Sequence, residues 1–461
     1  MANAADAVSQ SAQRFSPARA WYAVGMFVLL YCISFVDRYV LALLAAPISE
    51  SLQISDSSIG ILFGLGFGVV YALTGLPLAH LIDRGKRVPL VVGGVVLWSI
   101  STILSGYSSN FTELLLCRSG VAIGEAVLSP AAISIIGDLF PREKRVFPTS
   151  VYTATSVYMT GGAFVLGGLA MDLATHLQAS LGQEPWRLTL IFVGLPGLVL
   201  APILWLTVRE PARTQEAVGA ADFSSPKQAL DYFWRERAVF GWMFVGMSAL
   251  GICSTGFVAW TPTLLIRAFE QTPAEAGYLF GTIGVVCATI GAFAWPILIK
   301  FWSAAGQRDA IVILLAVGLG SILAAIAVLG VAPSLPVALG AIAVAMFAVS
   351  SSGILPPNVI QAVAPARMRG RLIAINLMAS TLVGLAVGPT LCAFVAETFY
   401  SGPRALGYAM TSVAAFSGPT AVIAILLMRK RFLIALDEAI AREAAAANAE
   451  AQPAGTPAAA T

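Results

Sequence analysis

Long apolar runs without a single Asp, Glu, Lys or Arg alternate along this chain with short polar punctuation. Charge-free runs cover 58–82, 88–112, 146–171, 188–208, 238–266, 276–299, 310–331, 337–363, 372–396 and 405–428. A helix of about 20 residues crosses roughly 30 Å of hydrocarbon, so each run is long enough to span a bilayer. Only helices or closed barrels satisfy the backbone in lipid, and the runs lack the two-residue alternation of barrel strands. This pattern predicts twelve spans, at 21–45, 58–82, 88–107, 111–139, 147–171, 187–208, 239–266, 275–299, 310–331, 337–363, 371–396 and 405–428. The fold class expected is an all-α polytopic membrane protein.

Composition agrees: 58% of the 461 residues are hydrophobic and 11% charged, against about 25% charged in soluble domains. The distribution of charge says more than the net value. Between these spans, 22 of the 27 Lys and Arg fall on one side. Arg187, Arg267 and Arg404 lie at helix edges on the other side, and Arg38 and Arg118 lie inside spans. Such a bias places both termini in the cytoplasm, which requires an even number of spans. The expected location is the cell inner membrane. No secretory signal pattern precedes Trp21. Asn110-Phe-Thr matches a glycosylation acceptor but sits in a very short turn and reads as a chance match. The five Cys lie in apolar spans without CxxC spacing and read as small core hydrophobes.

The longest internal loop, 209–237, divides the chain into a tail (1–20), a six-helix bundle (21–208), the loop, a second six-helix bundle (238–430) and a tail (431–461). The halves echo each other. Pro141-x-x-x-Arg145 precedes span five and Pro365-x-x-x-Arg369 precedes span eleven, 224 positions later, and Gly-rich helices follow both. Two six-helix repeats with a site between them is a transporter plan. The segment 432–447 reads as an amphipathic surface helix, followed by Ala/Pro low complexity.

Ionisable residues deep in a bilayer are costly and ask for a reason. Asp37 and Arg38 lie in span one, Arg118 and Glu125 in span four, and the C-terminal half has none. Glu125 lies about 21 Å in from one end of span four and Asp37 about 24 Å in from the other end of span one, so all four can meet. Arg118 and Glu125, seven apart, share a helix face. Asp37 and Arg38 point about 100° apart, so one is expected to face the central cavity and the other span four. Pro130 is expected to kink span four just below Glu125. Two readings compete. In one, Asp37 and Glu125 are proton-coupling carboxylates beside substrate-binding Arg38 and Arg118. In the other, the four form a permanent ion-pair cluster pinning span one to span four.

Span two ends in Gly75-Leu-Pro-Leu-Ala-His-Leu-Ile-Asp83-Arg84-Gly85-Lys86-Arg87. This resembles the loop motif between helices two and three of the major facilitator superfamily, Gly-x-x-x-Asp-Arg-x-Gly-Arg-Arg. Here the Gly stands further from the Asp than in that motif. The resemblance implies the major facilitator fold and a cytoplasmic gate of Asp83, Arg84, Arg87 and Asp138. In that gate Asp83 would face the N-terminus of span eleven, and Arg87 would reach Asp138. Phe35-Val-Asp-Arg-Tyr39, Arg118-Ser-Gly-Val-Ala-Ile-Gly-Glu-Ala126 with Ser129-Pro130, Asp138-Leu-Phe-Pro141 and Arg367-Met-Arg-Gly370 resemble the spinster-type branch. That branch is associated with export of lysolipids and sphingosine phosphate. The resemblance implies proton-linked Asp37 and Glu125 and a cavity cation at Arg38. Organic-anion:proton symporters share a similar pattern.

Further cavity candidates are Tyr152, Tyr158, Thr255, Trp260, Asn358 and Asn376. Gly, Pro and hydroxyls in mid-span seven and mid-span ten mark either helix breaks lining a cavity or close packing by small residues. His80 reads as a packing residue or a proton relay, and His176 as a loop residue. No nucleotide loop, metal spacing or hydrolase triad is present, so no enzyme activity, cofactor, metal or nucleic-acid partner is expected. The expected protein is a monomeric, proton-coupled transporter working by alternating access. Its expected partners are protons, membrane lipid and an amphiphilic or organic anion, with lysolipid-like cargo favoured. The alternatives are an organic-acid or sugar-acid symporter and, more distantly, a non-transporting receptor.

Overall fold

The computed structural model describes residues 16–213, 226–365 and 368–451. Arg367 of the second Pro-x-x-x-Arg loop, residues 214–225 of the 209–237 loop and the ends of both tails lie outside them. Twelve helices among the described residues are long and apolar enough to cross a membrane. They are Pro17–Leu52, Asp56–Arg84, Arg87–Ser105, Phe111–Leu139, Val146–Leu181, Pro185–Thr207, Arg237–Phe269, Pro273–Ala304, Ala310–Val331, Leu335–Val363, Leu382–Phe399 and Ala405–Arg442. They match the twelve spans expected and keep those numbers here. The chain is a multi-pass membrane protein. Several helices run beyond the apolar window, span five to Leu181 and span eight to Ala304, because polar residues at the ends sit outside the hydrocarbon at no cost. Span twelve is continuous with the tail helix to Ala451, so the expected separate surface helix is an extension of that span. Phe432, Ala435 and Ala439 are buried on one face of it.

The two halves repeat in three dimensions as well as in sequence. Arg145 Nε donates to the Phe140 carbonyl at 2.8 Å, and Arg369 Nε to the Ala364 carbonyl at 2.9 Å. Both pairs span five residues and lie 224 positions apart. Each arginine caps carbonyls freed at the end of the preceding helix. Span four breaks at Ala126 and span ten at Ser350, the same offset again. In span four the cause is Pro130, which has no N–H for the Ala126 carbonyl. In span ten Ser350 accepts from Trp295 Nε1 of span eight at 3.0 Å, which ties the break to its neighbour. Span seven is one unbroken helix despite Pro262. Its Gly256 packs against Gly388 and Cys392 of span eleven, so close packing is the correct reading there.

The end carrying the 85–86 turn and the Pro141–Arg145 loop is called the basic end below. The bundles meet mainly in mid-membrane and toward the opposite end. Arg267 of span seven grips Asp56 of span two with two hydrogen bonds, at 2.5 and 2.9 Å. Ser57 donates to Glu397 of span eleven. Thr390 donates to the Gly60 carbonyl at 3.0 Å. Within one bundle at this end, Glu184 accepts from Ser51 and Arg187, and these bonds outweigh partial burial and hold its carboxyl below the usual range. Spans five and eight form the tightest seam. A Cβ on Gly161 would lie 2.5 Å from the Val285 nitrogen and 2.6 Å from the Gly281 carbonyl oxygen, backbone atoms that cannot move aside. Gly161→Val is therefore expected to wedge the bundles apart. Disulfide cross-linking between cysteines introduced at Ser57 and Glu397 should fall several-fold in that background. Undiminished cross-linking would show that the seam does not hold this end shut.

Candidate functional site

Span one brings its two charged residues to span four at different depths of the bundle. Arg38 donates to Glu125 Oε2 from Nε at 3.1 Å and from Nη2 at 2.5 Å. Its guanidinium also lies 5.1 Å from the Phe67 ring centroid, 5.5 Å from Tyr71 and 5.6 Å from Phe35. Aromatic faces attract a cation where water is scarce. Asp37 is 1% exposed. Its Oδ2 lies within hydrogen-bond reach of the Thr102 hydroxyl of span three, and its Oδ1 lies 3.5 Å from Arg118 Nη1. Arg118 shares the Phe67 ring, 5.1 Å from its centroid. Of the two, Arg38 lines the cavity and Asp37 faces span four, and the long Arg38 side chain also reaches Glu125.

Buried charges require full pairing, and this set is not fully paired. Asp37 Oδ1, Glu125 Oε1 and Arg118 Nε are buried without a hydrogen-bond partner among the described residues. Arg38 keeps 22% of its side chain exposed while the Glu125 side chain is fully buried. The arginine is thus the member of the pair that a molecule in the cavity can touch.

That cavity, of about 230 Å³, lies between the bundles. Arg38, Tyr39 and Arg118 line it from one bundle, and Thr255, Val258 and Val349 from the other. Val349 stands 224 positions after Glu125, so the second repeat presents an apolar wall where the first presents a carboxylate. The lining is mostly apolar, with its cations on one side.

The remaining candidates divide. Thr255 lines the cavity, but its hydroxyl is within bonding distance of the Gly384 and Gly251 carbonyls at 2.6 and 2.8 Å, tying span seven to span eleven. Trp260 is buried, donates to the Pro389 carbonyl at 2.8 Å and meets Phe63 across the bundle interface. Tyr152 is buried against Ser129 and stacks on Tyr31 at 4.7 Å. Tyr158 is exposed, Asn358 donates to the Ile354 carbonyl of its own helix, and Asn376 is buried in span eleven. His80 is exposed at the basic end, neither packed nor near the charged cluster, and exposed His176 faces Asp172. Sequence reasoning missed Thr102 and Phe67, which carry no charge and no motif.

At the basic end, Arg87 is a buried hub. It donates to Asp138, to Ser134 at 2.9 Å, to Glu210 at 2.8 Å and to the Pro211 carbonyl at 3.0 Å. Glu210 also accepts from the Val88 N–H at 2.7 Å. Arg213 donates to the carbonyls of Ile82, Asp83 and Gly85. The start of the inter-bundle loop is thereby clamped onto the turn between spans two and three. Asp83 and Arg84 side chains are exposed. Among the described residues the Asp83 carboxylate makes no hydrogen bond or ion pair to span eleven.

The family model of the Major Facilitator Superfamily matches residues 27–389. An MFS-type efflux pump of Mycolicibacterium smegmatis is 31% identical over 300 residues, covering 65% of this chain and 66% of that protein. Protein spinster homolog 3 of Danio rerio is 28% identical over 292 residues, covering 60% of this chain and 57% of that protein. The chain thus spans 57% to 66% of the length of these relatives. The crystal structure of a bacterial homologue of the human lysosomal transporter spinster, inward-facing and unoccupied, superposes with a TM-score of 0.76 at 26% identity. That match covers 92% of this chain and 98% of the other. With its twelve spans, its Asp-Arg and Glu across spans one and four, and these likenesses, the chain belongs to the major facilitator superfamily, in its spinster-type branch.

Proposed function

We propose that this protein is a proton-coupled secondary transporter of an amphiphilic organic anion, with lysolipid-like cargo favoured. One observation carries the reading: Arg38 is bound by Glu125 and at the same time lines the cavity. An anionic headgroup and the Glu125 carboxylate compete for one guanidinium. Protonation of Glu125 neutralises its claim and frees Arg38 for the cargo. Release of the proton restores the pair and expels the headgroup. The apolar wall opposite suits an alkyl chain. Under this reading the basic end is cytoplasmic, with both termini in the cytoplasm, and the contacts closing the far end leave the cavity accessible from inside. Asp83, Arg84, Arg87 and Asp138 then form the gate that closes when the bundles rock.

Flux into proteoliposomes tests this. A lysophospholipid and a sugar acid are compared, with and without a pH gradient. Gradient-dependent lysophospholipid movement is expected. Movement of the sugar acid alone would overturn the cargo, and binding of both without flux would overturn transport. Arg38→Lys should weaken lysophospholipid binding by about tenfold, because an ammonium cannot present the planar fork of a guanidinium. Equal affinity in a binding titration would remove Arg38 from the cargo site.

A further inference from the structure

Thr102 is buried in span three, and its hydroxyl lies within hydrogen-bonding reach of two acceptors. One is Asp37 Oδ2 and the other is the Trp98 carbonyl, at 2.9 Å. A hydroxyl has one proton to donate and two lone pairs that accept. If Asp37 is ionised, Thr102 can serve only one of the two, and the other oxygen faces it with no proton between. If Asp37 carries a proton on Oδ2, the acid donates to Thr102 and Thr102 donates to Trp98, so every contact is made.

The surroundings favour the same arrangement. Asp37 Oδ1 has no hydrogen-bond donor among the described residues, and Arg118 Nη1 at 3.5 Å is the nearest cationic atom bridged to it. That separation is outside good hydrogen-bond geometry. The charged groups acting on Asp37 are Arg118 and Glu125 from span four and Arg38 from its own helix, and span three contributes only Thr102. Oδ1 lacks a donor in either state, but in an ionised Asp37 that buried oxygen carries charge, which costs more than leaving the neutral carbonyl oxygen of the acid unserved.

We propose that Thr102 is a positioning residue that holds Asp37 in its protonated form and passes that state to the span three backbone at Trp98. The inference rests on the proton-coupled reading above and adds to it a specific partner and a direction. Thr102 touches neither cavity nor cargo, and its effect runs through Asp37.

Infrared difference spectroscopy of the full-length protein tests it through the carboxylic C=O stretch, assigned to Asp37 by its loss in Asp37→Asn. Thr102→Val removes the hydroxyl at nearly constant volume, and Thr102→Ser retains it. In Thr102→Val the pH midpoint of the Asp37 band should fall by ~0.5–1 unit, and the band should move to the frequency of an acid that donates no hydrogen bond. Thr102→Ser should keep both near wild type. Thr102→Ala gives the same readout if the valine variant does not fold. An unmoved midpoint, or one that rises because the hydroxyl served the carboxylate, overturns the assignment of Thr102. Absence of any Asp37 band in the wild type, from acid to alkaline pH, overturns Asp37 as a proton carrier. The two failures are thereby told apart.

Discussion

Glu125→Gln is expected to give a folded protein whose uptake no longer follows pH. Gln keeps the shape of Glu and a neutral oxygen that can still accept from Arg38, but without the charge its hold on the guanidinium is weakened, as it is when Glu125 is protonated. Its charge is lost and it cannot titrate. A single coupled proton changes a rate by up to about tenfold per pH unit on its limiting limb, and in the variant that ratio should fall to one. Cargo binding should be retained, because Arg38 is held in the state that protonation would otherwise create. The measurement is initial uptake against pH in proteoliposomes, beside a thermal-stability control. A variant with the wild-type pH profile would favour the permanent ion-pair cluster, whose members never release one another during transport. A variant that does not fold would leave Glu125→Asp to carry the test. That variant keeps a titrating group but shortens its reach to Arg38, so its profile should survive with weaker pairing.

The largest loss of stability is expected from Arg87→Ala. The side chain is 1% exposed and serves four partners on two separate stretches of chain, span four and the start of the inter-bundle loop. Its removal takes a buried cation away from Asp138 and Glu210, and sets loose the segment that links the bundles. Removing one member of a buried pair costs about 3–5 kcal/mol, and for a chain of this size that is a fall of roughly 3–5 °C in the apparent melting temperature. Detergent-solubilised protein followed by a thermal-shift assay reads this directly. Arg87→Lys should recover only part of the loss, because one ammonium cannot reach Glu210, Asp138 and the Pro211 carbonyl together. Arg84→Ala, next to the same turn but exposed, should change the melt by no more than about 0.5 kcal/mol. Equal loss from Arg84 and Arg87 would mean that the turn as a whole, not the buried hub, sets stability.

Hydropathy alone singles out Glu125, whereas Arg87 stands out through the loop motif, and their partners were legible to different degrees. Arg87 to Asp138 was implied by the family resemblance. Glu210 was not: it lies just past a charge-free run among Arg209 and Arg213, where an acidic residue reads as a solvated loop. Only the fold of the 208–213 segment back over spans two and three makes it a partner. The same holds within the cluster. Asp37, Arg38, Arg118 and Glu125 stood out because each violates the apolar pattern. Which carboxylate meets which guanidinium depends on the rotation of two helices about their axes, which helix spacing rules leave open.

What the sequence by itself determined is whatever the bilayer imposes locally. Twelve spans, the asymmetry of basic residues, the helix break at Pro130 and the 224-residue repeat all follow from backbone satisfaction, charge cost and position along the chain. Tertiary structure alone decided which polar side chains face the cavity. Thr255 reaches it, while Trp260 and Tyr152 are consumed in packing between helices. Thr102 became part of the charged site although nothing in its own span marks it. The physical reason is common to these cases. A hydroxyl or aromatic side chain inside a membrane helix can serve a neighbouring carbonyl, a buried acid or a cargo equally well, and only the neighbouring helix that packs against it settles which.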